Sequence, residues 1–552
     1  MKYNNIVEQL DYQALTKPNK TMMMFLDDNN NIIDKYTFRQ FKILTDKLAK
    51  ILYSMKLDKV LLVYPPGLQF MITFIACIKA KVIPIPVYPP NPNFLKKDMI
   101  MFSNIVKDSD VTVALTNKEY NWATIFANVK NLFSIKWPEL KWIVTDDLQL
   151  NEKIILPKIN DNDIAFIQYT SGSCSFPKAV IIRHRNLNHN LKIINKALLH
   201  DENSICISWL PQYHDMGLIG SRICTTVYGG TGIYISPFSF IMYPVNFIKL
   251  ISQYKATHIQ GPNFMYKLMA RKWLELKDKP DINLSSMQHI FNAAEPINYQ
   301  DYQFFYHTFK LYGLKKESLA TGYGLAESVV YISDSGYNNI RGGNKLIVDT
   351  KLIENENRIS IVENDGKEIM GCGKPPEGFD VDMIIVSNDE ILPELEIGEI
   401  CVNSPSVIDE YLTYQINDKK YLKTGDLGFL YNKELYVTGR CKDLIILNGK
   451  NYYPQDFEWI IEQNINIKKG STAVFEDENN LVMISETKDI SKENEFEELA
   501  KKIKNDIIDV FGIKISVFFY GKRMVPRTTS GKISRQKCKN IYKNIKNIYY
   551  MN

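Results

Sequence analysis

Residues 164–184 read IAFIQYTSGSCSFPKAVIIRH, in which two apolar runs, 164–169 and 179–183, flank a short hydroxyl-rich loop with one lysine, Lys178. Runs of this length and composition predict strands, so the loop is expected between two of them. Its backbone N–H groups, hydroxyls and cation suit a polyphosphate, although a polar hairpin tip has the same composition. Pro177 stands where a Walker A loop needs its second glycine, so that class of loop is excluded.

Strand-like runs alternate with helix-length segments through the first four hundred residues. The runs lie at 59–64, 111–115, 141–145, 205–210 and 232–236. This alternation predicts an α/β fold of stacked layers with mostly parallel sheets. From about residue 380 short strands follow in hairpin order, which predicts a small antiparallel barrel up to residue 439. A compact α+β segment follows, so we expect an N-terminal domain over 1–439 and a small C-terminal domain over 440–552.

Composition excludes several classes of protein. The 552 residues are 45% hydrophobic and 23% charged with a net charge of +5, which is typical of globular chains and gives little basis for nucleic-acid binding. The most apolar early stretch, 70–78, is about half the ~18 residues that a membrane span needs. Eight cysteines are scattered singly without a C-x-x-C pair, so neither a zinc site nor a disulfide framework is predicted. We expect a protein of the reducing cytoplasm.

Four further motifs accompany the loop. They are GYGLAES at 322–328, YLKTGDLG at 421–428, GRCKDLIILNGK at 439–450 and PRTTSGKISR at 526–535. YTSGSCSFPKAV at 169–180 resembles the phosphate-loop signature of the adenylate-forming enzymes, which include acyl-CoA synthetases, luciferases and peptide-synthetase adenylation domains. The other four resemble that superfamily's later signatures in the same order. Any one motif is weak, but five in order over nearly the whole chain are specific.

The resemblance implies that the chain binds ATP and Mg²⁺. The residues that would bind the phosphates are Thr170, Ser171, Gly172, Ser173 and Lys178. Thr170 and Glu327 would hold the Mg²⁺, which prefers hard oxygen ligands. Read alone, Glu327 is equally a carboxylate at a helix N-terminus.

The resemblance also implies a nucleoside site and a catalytic lysine. The nucleoside would be bound by Ala294 and Glu295 beside the adenine, Tyr323 and Gly324 on its face, Asp426 at the ribose, and Arg440 at ribose and phosphate. Lys532 would be carried in by a mobile C-terminal domain and bridge the substrate carboxylate and the α-phosphate. Read alone, it is one of many lysines in a basic tail.

A finer resemblance points to the fatty acyl-AMP ligases. WLPQYHDMGLIG at 209–220 is similar to a stretch of that branch and implies that His214, Met216, Gly217 and Ile219 bind the fatty acid. The branch carries an insertion that restricts movement of the C-terminal domain and disfavours transfer to coenzyme A. The segment at about 336–373 fits that placement, and its polar composition predicts an exposed hairpin or flap.

The implied function is activation of a fatty acid with ATP to an acyl-adenylate and pyrophosphate, followed by transfer to the phosphopantetheine of an acyl carrier protein. Because the chain stops 20 residues after Lys532, we expect this carrier in trans. Residues 521–552 contain nine Lys or Arg and no acid, and such a tail could steer an acidic carrier. A fatty acyl-CoA synthetase is the alternative, and changes at Cys174, Ser175 and Ala179 leave open a catalytically impaired nucleotide-binding protein.

Overall fold

The computed structural model covers most of both predicted domains. It describes residues 5–91, 95–130, 137–146, 148–149, 154–170, 177–336, 343–416, 420–447, 450–488, 493–521, 524–528 and 532–543. Among these residues, no helix is both long and apolar enough to cross a lipid bilayer.

A mostly parallel sheet forms the centre of the N-terminal part. Its strands are β1 (Thr21–Leu26), β2 (Ile32–Thr37), β9 (Ile205–Ser208), β10 (Thr231–Tyr234), β11 (His258–Gly261), β12 (His289–Asn292), β13 (Leu319–Tyr323) and β14 (Ser333–Asp334). They lie in the order β14-β13-β12-β11-β9-β10-β1-β2. All neighbouring strands from β13 to β1 pair in parallel, whereas the edge strands β14 and β2 pair antiparallel with their neighbours. The predicted parallel α/β arrangement is confirmed.

A second parallel sheet comes from the first 150 residues. It contains β3 (Lys59–Leu62), β4 (Ile83–Pro86), β5 (Val113–Thr116) and β6 (Lys141–Val144), in the order β4-β3-β5-β6. The two runs that flank the predicted phosphate loop form an antiparallel pair of strands, β7 (Ile164–Tyr169) and β8 (Ala179–Arg183), with Tyr169 opposite Ala179. This pair holds the two ends of the loop together.

Helices cover the sheets and fill the connections. Their bounds are α1 (Ile6–Thr16), α2 (Phe38–Ser54), α3 (Gln69–Lys79), α4 (Leu95–Ser109), α5 (Lys118–Lys130), α6 (His184–Leu198), α7 (Cys224–Val227), α8 (Pro237–Met242), α9 (Pro244–Gln253), α10 (Asn263–Leu274), α11 (Tyr299–Phe309), α12 (Thr350–Glu356), α13 (Pro454–Ile461), α14 (Glu493–Phe511) and α15 (Arg535–Tyr542). Between β9 and α7 the chain forms a π-helix, Met216–Ile223. Single π-turns occur frequently at functional sites.

An antiparallel sheet follows, as the hairpin order predicts. Its strands are β17 (Asp382–Ser387), β18 (Glu390–Ile391), β19 (Gly398–Asn403), β20 (Leu422–Tyr431) and β21 (Glu434–Arg440), in the order β18-β17-β19-β20-β21. The β20–β21 turn places Asn432 and Lys433 at φ of 52° and 63°, the left-handed pair that a tight hairpin requires.

The segment before this sheet is more buried than its polar composition indicates. β15 (Lys345–Val348) and β16 (Lys367–Met370) pair as an antiparallel hairpin, with α12 in the connection. Val348, Ile353 and Ile369 nevertheless lie in an apolar cluster with Phe429 of β20 and Tyr453 of the C-terminal part. The expectation of an exposed flap misses this inner face, because a few apolar side chains among many charges are enough to form it.

The C-terminal part has a core of its own. A hairpin of β22 (Ile445–Leu447) and β23 (Lys450–Tyr452) precedes α13, and β24 (Ile467–Asp477), β25 (Asn480–Thr487) and β26 (Ile515–Tyr520) form a sheet. Phe457 of α13, Ile503 of α14 and Val517 of β26 are fully buried together. This small α+β unit matches the predicted class.

Three buried histidines stack inside the main sheet. His258 and His289 occupy matching positions in β11 and β12 with ring centroids 4.9 Å apart, and His200 lies 4.1 Å from His258. Burial lowers the pKa of His258 to about 4, although the Leu198 carbonyl and Asp201 oppose this shift. Burial and then the charges of the other two rings hold the pKa of His200 well below its ordinary value. His200 and His258 are therefore neutral in the folded protein near pH 7.

This stack predicts an acid-sensitive fold. The unfolded chain binds protons on these histidines below about pH 6.5, so their contribution to stability is complete above that pH and declines towards pH 4. For His258 the loss at pH 5 is about 2 kcal/mol. Urea unfolding at pH 7, 6 and 5 measures this decline. His200→Phe should flatten the pH dependence, because it removes one of the rings whose pKa is lowered in the folded protein. The substitution breaks no hydrogen bond at Nδ1, since this atom has no hydrogen-bond partner among the described residues.

The exposed His307 provides the matched control, since His307→Phe should leave the slope unchanged. If the His200→Phe protein loses stability with acid in parallel with the wild type, the stack is not the cause.

Candidate active site

The two ends of the predicted phosphate loop lie close together. The Thr170 N–H donates to the Lys178 carbonyl over 2.9 Å, directly beyond the β7–β8 pair. The ammonium of Lys178 lies 4.9 Å from the ring centroid of Tyr411. Ser171, Gly172 and Ser173 lie outside the described residues, so their predicted contacts with phosphate stay predictions.

Glu327 lies on the other side of the same tyrosine. It follows β13 in a short 3₁₀ turn, Ala326–Ser328, and its Oε1 accepts a hydrogen bond of 3.1 Å from the Tyr411 hydroxyl. Tyr411 therefore joins the predicted phosphate cation to the predicted metal carboxylate, a link that sequence motifs do not contain. The next residue but one, Val329, has a φ of +71°, which is a strained value for a β-branched residue and typical of functional sites.

The donor chemistry around Glu327 fits Mg²⁺ bound together with a nucleotide. Among the described residues, no group of three histidine, cysteine or acidic side chains is arranged to hold a metal by itself. Mg²⁺ usually binds through one or two carboxylates and completes its shell with substrate phosphates and water. Glu327 and the Thr170 hydroxyl would supply the protein ligands, and the ion would neutralise charge on the phosphates.

Tyr323, Asp426 and Arg440 form one connected group. The Tyr323 hydroxyl donates to Asp426 Oδ2 over 2.8 Å, and Arg440 Nε lies 3.0 Å from Asp426 Oδ1. Asp426 and Arg440 face each other across β20 and β21, so the antiparallel register fixes their pairing. Burial and then the Asp426 charge raise the pKa of Tyr323, which keeps its hydroxyl protonated as a donor.

The chain is closely packed at Gly324, directly after Tyr323. A Cβ on Gly324 would lie 1.9 Å from the Val330 carbonyl oxygen, so this position requires glycine. Ala294 and Glu295 follow the end of the neighbouring strand β12. Ala294 has a φ of +75°, and the half-buried Glu295 accepts a 2.7 Å hydrogen bond from the Phe264 N–H. The predicted nucleoside residues therefore meet at one edge of the central sheet.

Lys532 brings the C-terminal part to this edge. The Thr528 N–H donates to the Lys532 carbonyl over 2.7 Å, and the Lys532 N–H donates to the Thr528 hydroxyl over 3.2 Å, so the turn that carries the lysine is closed. Burial and the Arg440 charge lower the pKa of the Lys532 amine, while Glu295, Asp215 and Asp426 oppose the shift. The amine therefore lies within electrostatic range of residues from both parts of the chain.

Asp215 is an acidic residue near Lys532 that the sequence motifs did not predict as part of the site. It directly precedes the π-helix, and its Oδ1 accepts from the Met216 N–H over 2.6 Å. Burial raises the pKa of its carboxyl, and the Lys532 charge opposes this shift. The sequence shows Asp215 inside a recognisable motif, but its proximity to a lysine more than 300 residues away depends on the fold.

The predicted fatty-acid residues lie on the same segment as Asp215. The His214 ring packs beside Tyr213 with centroids 5.0 Å apart. Met216, Gly217 and Ile219 are buried in the π-helix. A Cβ on Gly217 would approach the Pro211 carbonyl oxygen to 2.1 Å, so glycine is required for the close return of the chain. Their roles in acid binding stay predictions.

Taken together, the site places cations and acids where a polyphosphate and a carboxylic acid could meet. Lys178 and Glu327 both contact Tyr411, Arg440 pairs with Asp426 at the predicted ribose, and Lys532 of the C-terminal part interacts electrostatically with Asp426. Positioning and electrostatic stabilisation are what phosphoryl-group chemistry demands of a protein.

Comparisons with known proteins agree with this geometry. Residues 10–412 match the AMP-binding enzyme family, and residues 442–549 match the AMP domain of Disco-interacting protein 2-like proteins. The chain is 30% identical to the medium-chain-fatty-acid–[acyl-carrier-protein] ligase JamA of Moorena producens, over 98% of this chain and 95% of that protein. It is 28% identical to the corresponding ligase TtuA of Teredinibacter turnerae, over 96% and 92%.

Solved structures show the same relationship. A fatty acyl-adenylate ligase from work on the E. coli and L. pneumophila enzymes has a TM-score of 0.90 at 28% identity, over 98% of each chain. The L. pneumophila fatty acyl-adenylate ligase in complex with acyl adenylate and pyrophosphate has a TM-score of 0.72 at 30% identity, over 100% of this chain and 98% of that one. The chain therefore belongs to the AMP-binding enzyme family, and its resemblance to the fatty acyl-AMP ligases is confirmed.

Proposed function

We propose that this chain joins a fatty acid to AMP and passes the acyl group to the phosphopantetheine of a separate acyl carrier protein. The observation that carries the proposal is the electrostatic interaction of Lys532, on the C-terminal part, with Asp215, Glu295 and Asp426 of the N-terminal part. The family and its fatty-acid ligases support the same activity. The proposed domains are 1–439 and 440–552, and the two family matches fall on either side of that boundary.

In the proposed reaction, a carboxylate oxygen of the fatty acid attacks the α-phosphorus of ATP. A new O–P bond forms, the bond from the α-phosphorus to the oxygen bridging to the β-phosphate breaks, and pyrophosphate leaves with the electron pair. Lys178 and the loop N–H groups hold the leaving phosphates. Mg²⁺ at Thr170 and Glu327 would supply charge neutralisation for these phosphates.

Lys532 orients the acid towards the phosphorus. Its ammonium can contact the carboxylate and an α-phosphate oxygen at once, which offsets the repulsion between two anions. Arg440 adds a second cation on the ribose side, and the three carboxylates around Lys532 favour its protonated form. Stabilising charge that develops in the transition state is often the largest single contribution to catalysis.

The insertion holds the C-terminal part in this arrangement. Lys367 of β16 forms a 2.6 Å ion pair with Asp456 of α13, and its ammonium lies 4.9 Å from the Tyr453 ring centroid. Asn451 of β23 donates to Asn357, just beyond α12, over 2.9 Å. These contacts add to the shared apolar cluster around Tyr453. A domain held in this way has difficulty rearranging for coenzyme A, which supports a carrier protein as the acceptor.

The basic tail contributes less free charge than its composition indicates. Arg535 forms ion pairs of 3.0 Å with Asp443 and 2.6 Å with Glu458. Lys539 and Lys543 lie 3.5 and 3.4 Å from Asp477. Recognition of the carrier therefore depends less on these three side chains than the sequence predicts.

We place the enzyme in the reducing cytoplasm. No disulfide joins the cysteines that the structure describes, and most of them are buried. Burial raises the pKa of the Cys372 thiol to about 12 and that of Cys206 to about 11, so these thiols are poor nucleophiles.

Replacing the bridging amine tests the chemistry. Lys532→Ala should lower fatty-acid-dependent pyrophosphate release from ATP by about 10²–10³-fold, the usual effect of removing one donor that stabilises transition-state charge. Binding of a fluorescent ATP analogue should persist, because the predicted phosphate residues belong to the N-terminal part. Lys537→Ala is the matched control, since this exposed lysine lies five residues further along the same tail. Unchanged turnover in Lys532→Ala would contradict the assigned role.

Competition between acceptors tests the second step. With ATP, a medium-chain fatty acid and radiolabelled coenzyme A, we expect acyl-adenylate and little acyl-CoA, whereas a phosphopantetheinylated carrier protein should become acylated. Lys367→Ala should raise acyl-CoA formation several-fold by loosening the C-terminal part. Lys345→Ala provides the control, because its 2.7 Å ion pair with Glu368 lies within the same insertion. Abundant acyl-CoA from the wild type would identify a fatty acyl-CoA synthetase instead.

A further inference from the structure

The short helix α8 presents a cluster of apolar side chains to solvent. Phe238 is 66% exposed, Ile241 48%, Met242 53% and Tyr243 48%. The helix is firmly formed, because Pro237 occupies its first turn and the Ser236 hydroxyl accepts from the Ser239 N–H over 3.0 Å. The four side chains, which we call the α8 patch, are therefore displayed by a defined element.

The α8 patch has about the size of the largest apolar patch on a typical monomer. Large apolar side chains of this kind cover about 150–250 Å² each, so four that are about half exposed present roughly 400 Å². Patches of this size commonly have a function.

A second apolar surface lies close by. Ser239 of α8 donates to the Asp28 carboxylate in the β1–β2 turn, and Asn246 of α9 donates to the Asp28 carbonyl over 3.5 Å. The strand that leaves this turn exposes Ile32 by 47% and Ile33 by 61%. Two elements that are tied together thus expose apolar residues beyond the α8 patch itself.

The inner face of α8 leads towards the active site. Phe240 stacks on Trp209 with centroids 4.4 Å apart and an interplanar angle of 8°. Trp209 in turn meets the edge of Phe264 at 5.8 Å, and the Phe264 N–H donates to Glu295. The Lys532 charge in turn acts on the Glu295 carboxyl. Two aromatic contacts and one hydrogen bond therefore link the inner face of α8 to Glu295.

The size and chemistry of the α8 patch distinguish three possible binding partners, namely another protein chain, an acidic carrier protein and a phospholipid bilayer. A stable protein interface covers about 800 Å² on each partner, roughly twice the area of the patch. An acidic carrier protein would need cations, whereas the polar residue that anchors α8 is the carboxylate of Asp28. A phospholipid bilayer accommodates exposed apolar side chains with an aromatic residue at its interface, and its hydrocarbon core dissolves long-chain acids.

We propose that the α8 patch docks the enzyme on a phospholipid bilayer, from which it draws its fatty acid. The inference rests on the proposed function for the identity of the substrate. The bilayer contact itself requires no catalysis and can be measured separately.

Sedimentation with phosphatidylcholine vesicles tests the contact. The full-length wild type should sediment with the vesicles, and a combined Phe238→Ser, Ile241→Ser and Met242→Ser protein should partition at least about tenfold more weakly. The control replaces Leu15, Ile155 and Leu311 by serine, which are 76%, 92% and 86% exposed elsewhere on the surface. Circular dichroism and thermal unfolding establish that each variant is folded, and Phe238→Ser alone provides a milder change.

Activity measurements connect docking to substrate supply. With a long-chain acid loaded in vesicles, the triple variant should form acyl-adenylate several-fold more slowly than the wild type. With a short acid dissolved in buffer, the two rates should be equal. Equal rates in both assays would overturn delivery from the bilayer.

The remaining outcomes separate the two proposals. A wild type that stays in the supernatant, or a triple variant that binds vesicles as the wild type does, overturns bilayer docking. A dimer in light scattering that the triple variant abolishes assigns the patch to a second copy of the chain and also overturns it. Vesicle binding by a wild type that forms no acyl-adenylate would support docking and refute the proposed activity.

Discussion

The half-buried Lys532 links the two parts of the chain electrostatically, and the site depends on it. An isolated ammonium costs several kcal/mol to remove from water, so its position is stable only where carboxylates compensate. Asp215, Glu295 and Asp426 provide that compensation, and Arg440 opposes it. The resulting charge balance is poised for a ligand, because incoming phosphates would attract both cations. The docking of the C-terminal part therefore depends on the same charges that bind the ligand.

Sheet topology explains why acids from distant positions meet this amine. Strands β9, β12 and β13 are parallel members of one sheet, so their carboxyl ends lie along the same edge. Asp215 and Glu295 follow β9 and β12, and Tyr323 ends β13. Ligands of open α/β sheets bind at this edge. The antiparallel sheet then adds Asp426 and Arg440 as a cross-strand pair, with the register fixing their separation.

Much of this was accessible from the sequence, and the missing part is non-local. Alternating strands and helices predict the parallel sheets, and the ordered motifs predict Tyr323, Asp426, Arg440 and Lys532 as neighbours. The proximity of Asp215 to Lys532 and the bridge of Tyr411 between Lys178 and Glu327 involve residues far apart in the chain, which no local pattern encodes. The π-helix was equally hidden, because its apolar run of residues 216–223 suits an α-helix as well.

The π-helix also helps to fix the segment that carries Asp215. Arg222, fully buried within it, donates to the Leu210 and Gly217 carbonyls over 3.1 and 2.8 Å, and its guanidinium lies 4.5 Å from the Tyr234 ring centroid. These contacts offset the cost of burial, which still lowers the pKa of Arg222 to about 10. They fasten the loop carrying Asp215 to the core. The C-terminal part is held as well, by the Lys367–Asp456 ion pair and the apolar cluster around Tyr453, so Asp215 and Lys532 are both positioned before substrate binds.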